Sequence, residues 1–345
     1  MRDVLLVLLG IVGAAGVNLL TSLADKEAVH RWRWPLTAVV LLAFVLPVFW
    51  KHRLGSANAP VRKLCRVAAV DNGEGGMDVL AVTKNGKVIT ATCTGKSLWS
   101  PWRVILETGF AWDVAAVVPR QGIVEYYALD RDGTIRMRTR DRGHLSTWQV
   151  VRILGDTHGR AMCVASSSLA PGHRELMVIT DSGRLLHAWR TDGQGWSQWH
   201  DSGLAGARDV TVCAPHDGLF ENFAVDADGE VWHRWFWERW TEWERWGRPG
   251  SPARAVSAFR KLTEYQELFV VGDAGDLGHR HHQRGHAWSD WLVMDTPAGV
   301  IDVAGSTTSP NSLRCLIVDS EGALWLRPYD GTGNRWLDWC RVSIG

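Results

Sequence analysis

Three residue types return at fixed distances from one another along this chain, and together they could hold a ligand. Arginine stands five residues past a glycine at Arg138, Arg234, Arg280 and Arg327, and Trp232 and Trp325 lie two residues before two of these. An acid stands eight residues before such a glycine at Asp78, Glu125, Glu175, Glu221 and Glu267. Tryptophans follow in W-x-x-W pairs, opening on Trp99, Trp196, Trp240, Trp288 and Trp336. Residues two apart on a strand share a face. An indole face beside charged donors and acceptors suits a ligand with apolar C–H patches and paired hydroxyls, as a sugar has. A residue recurring in nearly every copy of a repeat is explained first by architecture, however, with Arg–acid pairs and Trp fillers satisfying one another between sheets.

The repeat shows when the turn glycines Gly86, Gly133, Gly183, Gly229, Gly275 and Gly322 are laid over one another, at spacings of 47, 50, 46, 46 and 47 residues. Residues 174–199 display one unit: an apolar run, the turn Asp181-Ser182-Gly183, a second run, then a Gly-rich loop and a strand carrying Trp196 and Trp199. A further strand opens each unit, with Val67, Val114, Cys163, Val210, Val256 and Val303 aligned. Four strands per unit, repeated six times, predict an all-β fold: a six-bladed β-propeller of four-stranded antiparallel blades over residues 61–345. Each blade reads as contiguous sequence, without strand exchange between the termini. Face-to-face stacking buries both sides of a blade, so second strands should be unbroken apolar runs, as Val79–Val82 and Leu268–Val271 are. The wide outer gaps need large fillers, which 21 tryptophans supply.

Residues 1–53 read as a membrane anchor. The uncharged run 4–23 is long enough to cross a bilayer as a helix, and a second apolar run, 35–50, is bracketed by Trp32, Trp34 and Trp50 as an aromatic belt would be. Two transmembrane α-helices are expected there, followed by a linker over 54–60. Arg2, Lys51, Arg53, Arg62, Lys63 and Arg66 on the outer flanks outnumber Lys26, Arg31 and Arg33 between the runs. Two crossings make a multi-pass chain with both ends on one side, and the basic bias is expected to put termini and propeller on the cytoplasmic side. If the first run were cleaved as a signal peptide, or the second did not insert, the propeller would lie outside. Cys163, Cys213 and Cys315 read as small buried hydrophobes, and Cys65 and Cys340 lie on strands too far apart to bridge, so reduced thiols are expected.

A formal net charge of +1 argues against nucleic acid as a partner. His279, His281, His282 and His286 cluster in one copy, but His187 and His233 repeat the position of His279, so no metal site is expected. Asp130-Arg-Asp132-Gly133 and Asp226-Ala-Asp228-Gly229 lack the later ligands of a calcium loop and read as hairpin turns. No nucleophile elbow, zinc-protease motif or phosphate loop occurs, and no isolated acid–base–nucleophile cluster stands apart from the repeat. Neither a cofactor nor an enzyme is implied.

The segments RELMVITDSGRLLHAW with GWSQW, ENFAVDADGEVWHRW with RWTEW, and QELFVVGDAGDLGH with AWSDW closely resemble the PLL-like β-propeller lectins. More loosely they resemble the tachylectin-type propellers and six-bladed fungal fucose lectins. The resemblance covers residues 61–344 and implies glycan binding in pockets between blades, often of fucose or related sugars, at sites that repeat like the blades. Carried over to this sequence, it designates Trp196, Trp240, Trp288, Glu175, Glu221, Glu267, Arg234 and Arg280 as ligand-binding candidates. The chain departs from the pattern at Thr90 and Thr92, at Leu145 in place of the second copy's first tryptophan, and at Arg314 and Pro328 in the sixth copy. A protein-interaction scaffold under the membrane, without sugar binding, is the alternative reading.

Overall fold

The computed structural model describes residues 63–95, 97–152, 158–216, 218–260, 265–309 and 312–344. The expected membrane helices and the 54–60 linker lie outside the described residues, among which no helix is long and apolar enough to cross a membrane. The described part belongs to a compact unit running from Val61 to Gly345.

Six antiparallel sheets follow one another in chain order, each built from contiguous sequence. Blade 1 is typical: an innermost strand Leu64–Asp71, then Gly76–Thr83 and Val88–Thr94, then an outermost strand split into Leu98–Trp99 and Arg103–Leu106. The W-x-x-W pair sits at that split, because two large rings turned to one side cannot both keep the strand's alternation. Second strands such as Gly76–Thr83 and Tyr265–Gly272 are buried almost throughout, as two covered faces require. Six apolar cores result, one between each neighbouring pair of blades, including blades 6 and 1.

The turn glycines close the ring. Leu64 N–H of blade 1 donates to the Gly322 carbonyl of blade 6 at 2.9 Å, and Ala111 repeats the bond to Gly86 at 3.0 Å. Gly322 has φ +84°, and a Cβ there would stand 2.8 Å from the Leu64 nitrogen. Gly322→Ala is therefore expected to lower stability by about 2–4 kcal/mol, from left-handed backbone strain plus overpacking. Urea unfolding would read this as a fall in midpoint at unchanged slope.

At the axis, the structure corrects the alignment of the third blade. Each innermost strand has a bulge near its start, and the register places Cys163 level with Arg66, Asp113, Asp209, Ala255 and Asp302, so that Val164 aligns with Val67 and Val114. The resulting ring alternates. Asp113, Asp209 and Asp302 of blades 2, 4 and 6 each accept a backbone N–H from the following blade: Val164 at 2.9 Å, Val256 at 2.7 Å and Val67 at 2.6 Å. Arg66 sits among them, with Nη1 3.3 Å from Asp302 and Nε 3.9 Å from Asp113. Burial pushes the Asp302 carboxyl up to about 7 against the pull of Arg66, and raises Asp209 too. Cys163, whose Sγ lies 3.2 Å from Asp209, is held protonated by the same burial. A cavity of about 740 Å³ is lined by this cluster and by residues of all six innermost strands, with Asp71 and Arg260 among them.

Candidate functional site

Strand register decides which of the repeated residues meet. In blade 4, Glu221 pairs with Trp235 and Asn222 with Arg234. Neighbouring positions on a strand point to opposite faces. The acid and the arginine of one hairpin therefore lie on opposite sides of their blade, contrary to the expectation that they would flank one ligand. Blade 5 repeats this, with Glu267 opposite His281 and Leu268 opposite Arg280.

The three acids among the candidates each end in the groove toward the following blade, on a buried histidine of the same blade. Glu175 is bonded to His187, Glu221 to His233 at 2.9 Å and Glu267 to His279 at 2.6 Å, with all six side chains buried. The next blade supplies a tryptophan against each histidine. Trp240 meets His187 edge-on at 5.7 Å, Trp288 meets His233 at 6.4 Å and Trp336 meets His279 at 5.9 Å. The structure thus brings Trp240 to Glu175 and Trp288 to Glu221. Trp336, not among the candidates, completes the groove of Glu267. Trp196 lies apart from these, in the groove between blades 2 and 3, 5.2 Å from the Arg190 guanidinium.

Arg234 and Arg280 do not serve these acids. The Arg234 guanidinium lies between the rings of Trp240 and Trp243, at 4.2 and 4.6 Å, and donates to the Ser202 carbonyl of blade 3 at 2.8 Å. Trp243 Nε1 donates to the same carbonyl at 2.8 Å. Burial pulls Arg234 down to about 10. Arg280 donates to Ser289 O at 2.6 Å and stacks over Trp246 and Trp291. Arg138 with Trp148, on Ile105 O, and Arg327 with Trp339, on Asp295 O, repeat the double bond to the preceding blade. These arginines and the second tryptophans are inter-blade staples, as the architectural reading expects.

The first two grooves are filled by the protein itself. Asp78 takes the Tyr126 hydroxyl at 2.5 Å and pairs with Arg140 at 2.8 Å, both from blade 2. Glu125 takes the Tyr127 hydroxyl at 2.7 Å and pairs with Arg174 at 2.8 Å and Arg190 at 3.3 Å. Burial and the adjacent carboxylates hold both tyrosines protonated.

Grooves 3/4, 4/5 and 5/6 remain, and each has a rim residue that the sequence reading passed over. Trp189, Trp235 and His281 stand two residues past the buried histidines, on the same face, and all three are exposed. Trp235 lies 5.4 Å from His233, and Trp189 stacks on His200 at 4.8 Å. The signal was present as His-x-Trp in HAW and HRW and as His-x-His in HRH. Groove 4/5 is the most developed: Gln266 of blade 5 donates to Glu221 at 2.9 Å, and Trp235, Trp246, Trp288 and His282 surround the dyad. A carboxylate with about four lone-pair sites keeps acceptor capacity beyond these two bonds. Among the described residues, no group of three or more His, Cys, Asp or Glu side chains is placed to hold a metal ion.

No protein-family model matches the sequence, and no curated protein matches it. Solved structures do. The BP39L lectin of Burkholderia pseudomallei is 16% identical with a TM-score of 0.60, over 82% of this chain and all of its own. AofleA of Arthrobotrys oligospora is 13% identical with a TM-score of 0.65, over 83% of this chain and 88% of its own. The Aleuria aurantia lectin, described as a six-bladed β-propeller with a novel fucose recognition mode, is 15% identical with a TM-score of 0.61, over 83% and 98%. These likenesses establish the fold, an all-β propeller of six four-stranded blades.

Proposed function

We propose that this chain is a non-enzymatic recognition module that binds carbohydrate in the grooves following blades 3, 4 and 5. Groove 4/5 carries the reading: a buried carboxylate held by His233 and Gln266 lies beneath the half-open ring of Trp235, so hydroxyl acceptors sit beside an aromatic face. The similar propellers are lectins, and one of them, SapL1, was solved in complex with α-methyl fucoside, which supports a fucose-like ligand. A glycan array followed by calorimetry tests this. Binding of a neutral sugar is expected, with Trp235→Ala weakening it at least tenfold, as for an aromatic contact at the centre of a site. Titrations that stay flat across neutral glycans would refute it.

We further propose that residues 1–53 anchor the module in a membrane, supported by the apolar runs 4–23 and 35–50, and that the basic flanks keep the propeller on the cytoplasmic side. Alkaline carbonate should leave the chain in the membrane pellet, and protease added to intact cells should spare the propeller. Sugar binding and sidedness are independent, since the first is read on purified protein and the second in cells.

A further inference from the structure

The groove between blades 6 and 1 inverts the charge of the other five. Its floor position, occupied elsewhere by Asp78, Glu125, Glu175, Glu221 or Glu267, holds Arg314, which is 1% exposed. Buried arginines in this propeller are otherwise held by carboxylates, carbonyls or indole faces. Arg314 has one such bond, from Nη2 to the Gly95 carbonyl of blade 1, while Nε and Nη1 are buried without a partner. No carboxylate forms an ion pair with it among the described residues. Asp71 of blade 1 acts on it through space but forms neither a hydrogen bond nor an ion pair with it. Leu326 replaces the histidine of grooves 3/4, 4/5 and 5/6, Pro328 replaces the rim aromatic, and the Cys93 thiol across the groove is buried and kept protonated by burial. Burial correspondingly pulls the guanidinium below its ordinary range.

A guanidinium with idle donors, shielded from water, needs an anion far more than a neutral hydroxyl. We propose that groove 6/1 is an anion site, and that its ligand is the carboxylate of an acidic sugar. The sugar part rests on the carbohydrate reading of the sister grooves. The carboxylate takes Nη2 from the neutral Gly95 carbonyl and Nη1 alongside it, forming a bidentate charge-assisted pair on a fork already fixed in place. Trp99, half-buried on the blade 1 side and stacked on Trp102 at 5.5 Å, offers the ring for the sugar's C–H face. The guanidinium is covered in this structure, so the Gly95 contact must open first, and association should be slower than in groove 4/5.

Thermal unfolding of the full chain separates the possibilities, with glucuronate, glucose and acetate added at equal ionic strength. Glucuronate at a hundredfold excess over its Kd is expected to raise Tm by roughly 5 °C, and acetate by less. Arg314→Met and Arg314→Glu should each abolish the rise, and Arg314→Met, having lost an uncompensated buried charge, should itself melt no lower than the unsubstituted chain. Equal shifts from acetate and glucuronate would overturn the sugar assignment. A glucuronate shift that survives in both variants, or none in the unsubstituted chain, would overturn the site. The two readings fail separately: a neutral sugar weakened by Trp235→Ala upholds groove 4/5 whatever Arg314 does, and an Arg314-dependent glucuronate shift upholds groove 6/1 even if no neutral sugar binds.

Discussion

Arg66→Met should cost the propeller about 3–5 kcal/mol at about pH 8, the range for stranding buried charge by removing its partner. The three carboxylates around Arg66 are also the latches between blades 2 and 3, 4 and 5, and 6 and 1, so the loss falls on ring closure. The deficit should shrink as pH falls, because protonation relieves the unpaired carboxylates of the variant. The unsubstituted chain is expected to show a weaker form of the same dependence. Asp302 is raised from an ordinary aspartate value to about 7 and Asp209 is raised as well, so the folded state holds more protons than the unfolded one across that window. The Asp302 contribution is present below about pH 4 and is lost as pH climbs through about 7, at up to roughly 1.4 kcal/mol per pH unit, and Asp209 acts in the same direction. His173 works the other way: burial lowers it, so its contribution is lost as pH falls below the ordinary histidine value. Asp302→Asn separates the two by removing the carboxylate alone. Urea midpoints between about pH 5 and pH 8 decide the matter. A chain whose stability in that window ignores both Arg66→Met and Asp302→Asn would show the axial cluster to be energetically idle.

This cluster also marks where the sequence ceased to be legible. The glycine period, the acid eight residues before it and the W-x-x-W pairs located all six blades and their hairpins, because each is a local demand: a left-handed turn, a covered strand, a gap to fill. The axial ring is a non-local demand. Val164 stands nineteen residues before Gly183, as Val67, Val114, Val210, Val256 and Val303 stand before their glycines, so the extra residues of the third copy lie ahead of its opening strand. Spacing the opening strands from one another instead of from the glycines put Cys163 in the column of valines, one place away from its own column of Arg66 and the aspartates. With that slip, the alternation of aspartates through blades 2, 4 and 6 could not be seen. The assignment of Arg234 to the acids failed for a related reason. Spacing along the chain puts Glu221 and Arg234 on adjacent strands, but only the register shows that Glu221 faces Trp235 and that Arg234 belongs to the other side of the sheet. His-x-Trp, with its period of two, would have led to the rim residues Trp189 and Trp235.

Arg234→Met tests that division of labour between architecture and ligand. The guanidinium is buried, lies between two indoles and shares the Ser202 carbonyl with Trp243, so its loss removes two cation–π contacts and a hydrogen bond to charge. At roughly 1–2 kcal/mol for a desolvated cation–π pair and 1.5–3 for a charged hydrogen bond, a destabilisation of about 3 kcal/mol is expected after partial compensation by the buried methionine. Sugar affinity in groove 4/5 should stay within about twofold, because Arg234 faces groove 3/4 and shares no partner with Glu221. Trp235→Ala should do the reverse, weakening the sugar while leaving the urea midpoint nearly unchanged, since its ring is partly exposed and seals no core. Both quantities come from one preparation of each variant, by calorimetry and by urea unfolding. If Arg234→Met instead abolished sugar binding in a fully folded chain, the arginine would be a ligand contact after all, and the repeat of Arg with the second tryptophan would be a repeat of sites rather than of staples.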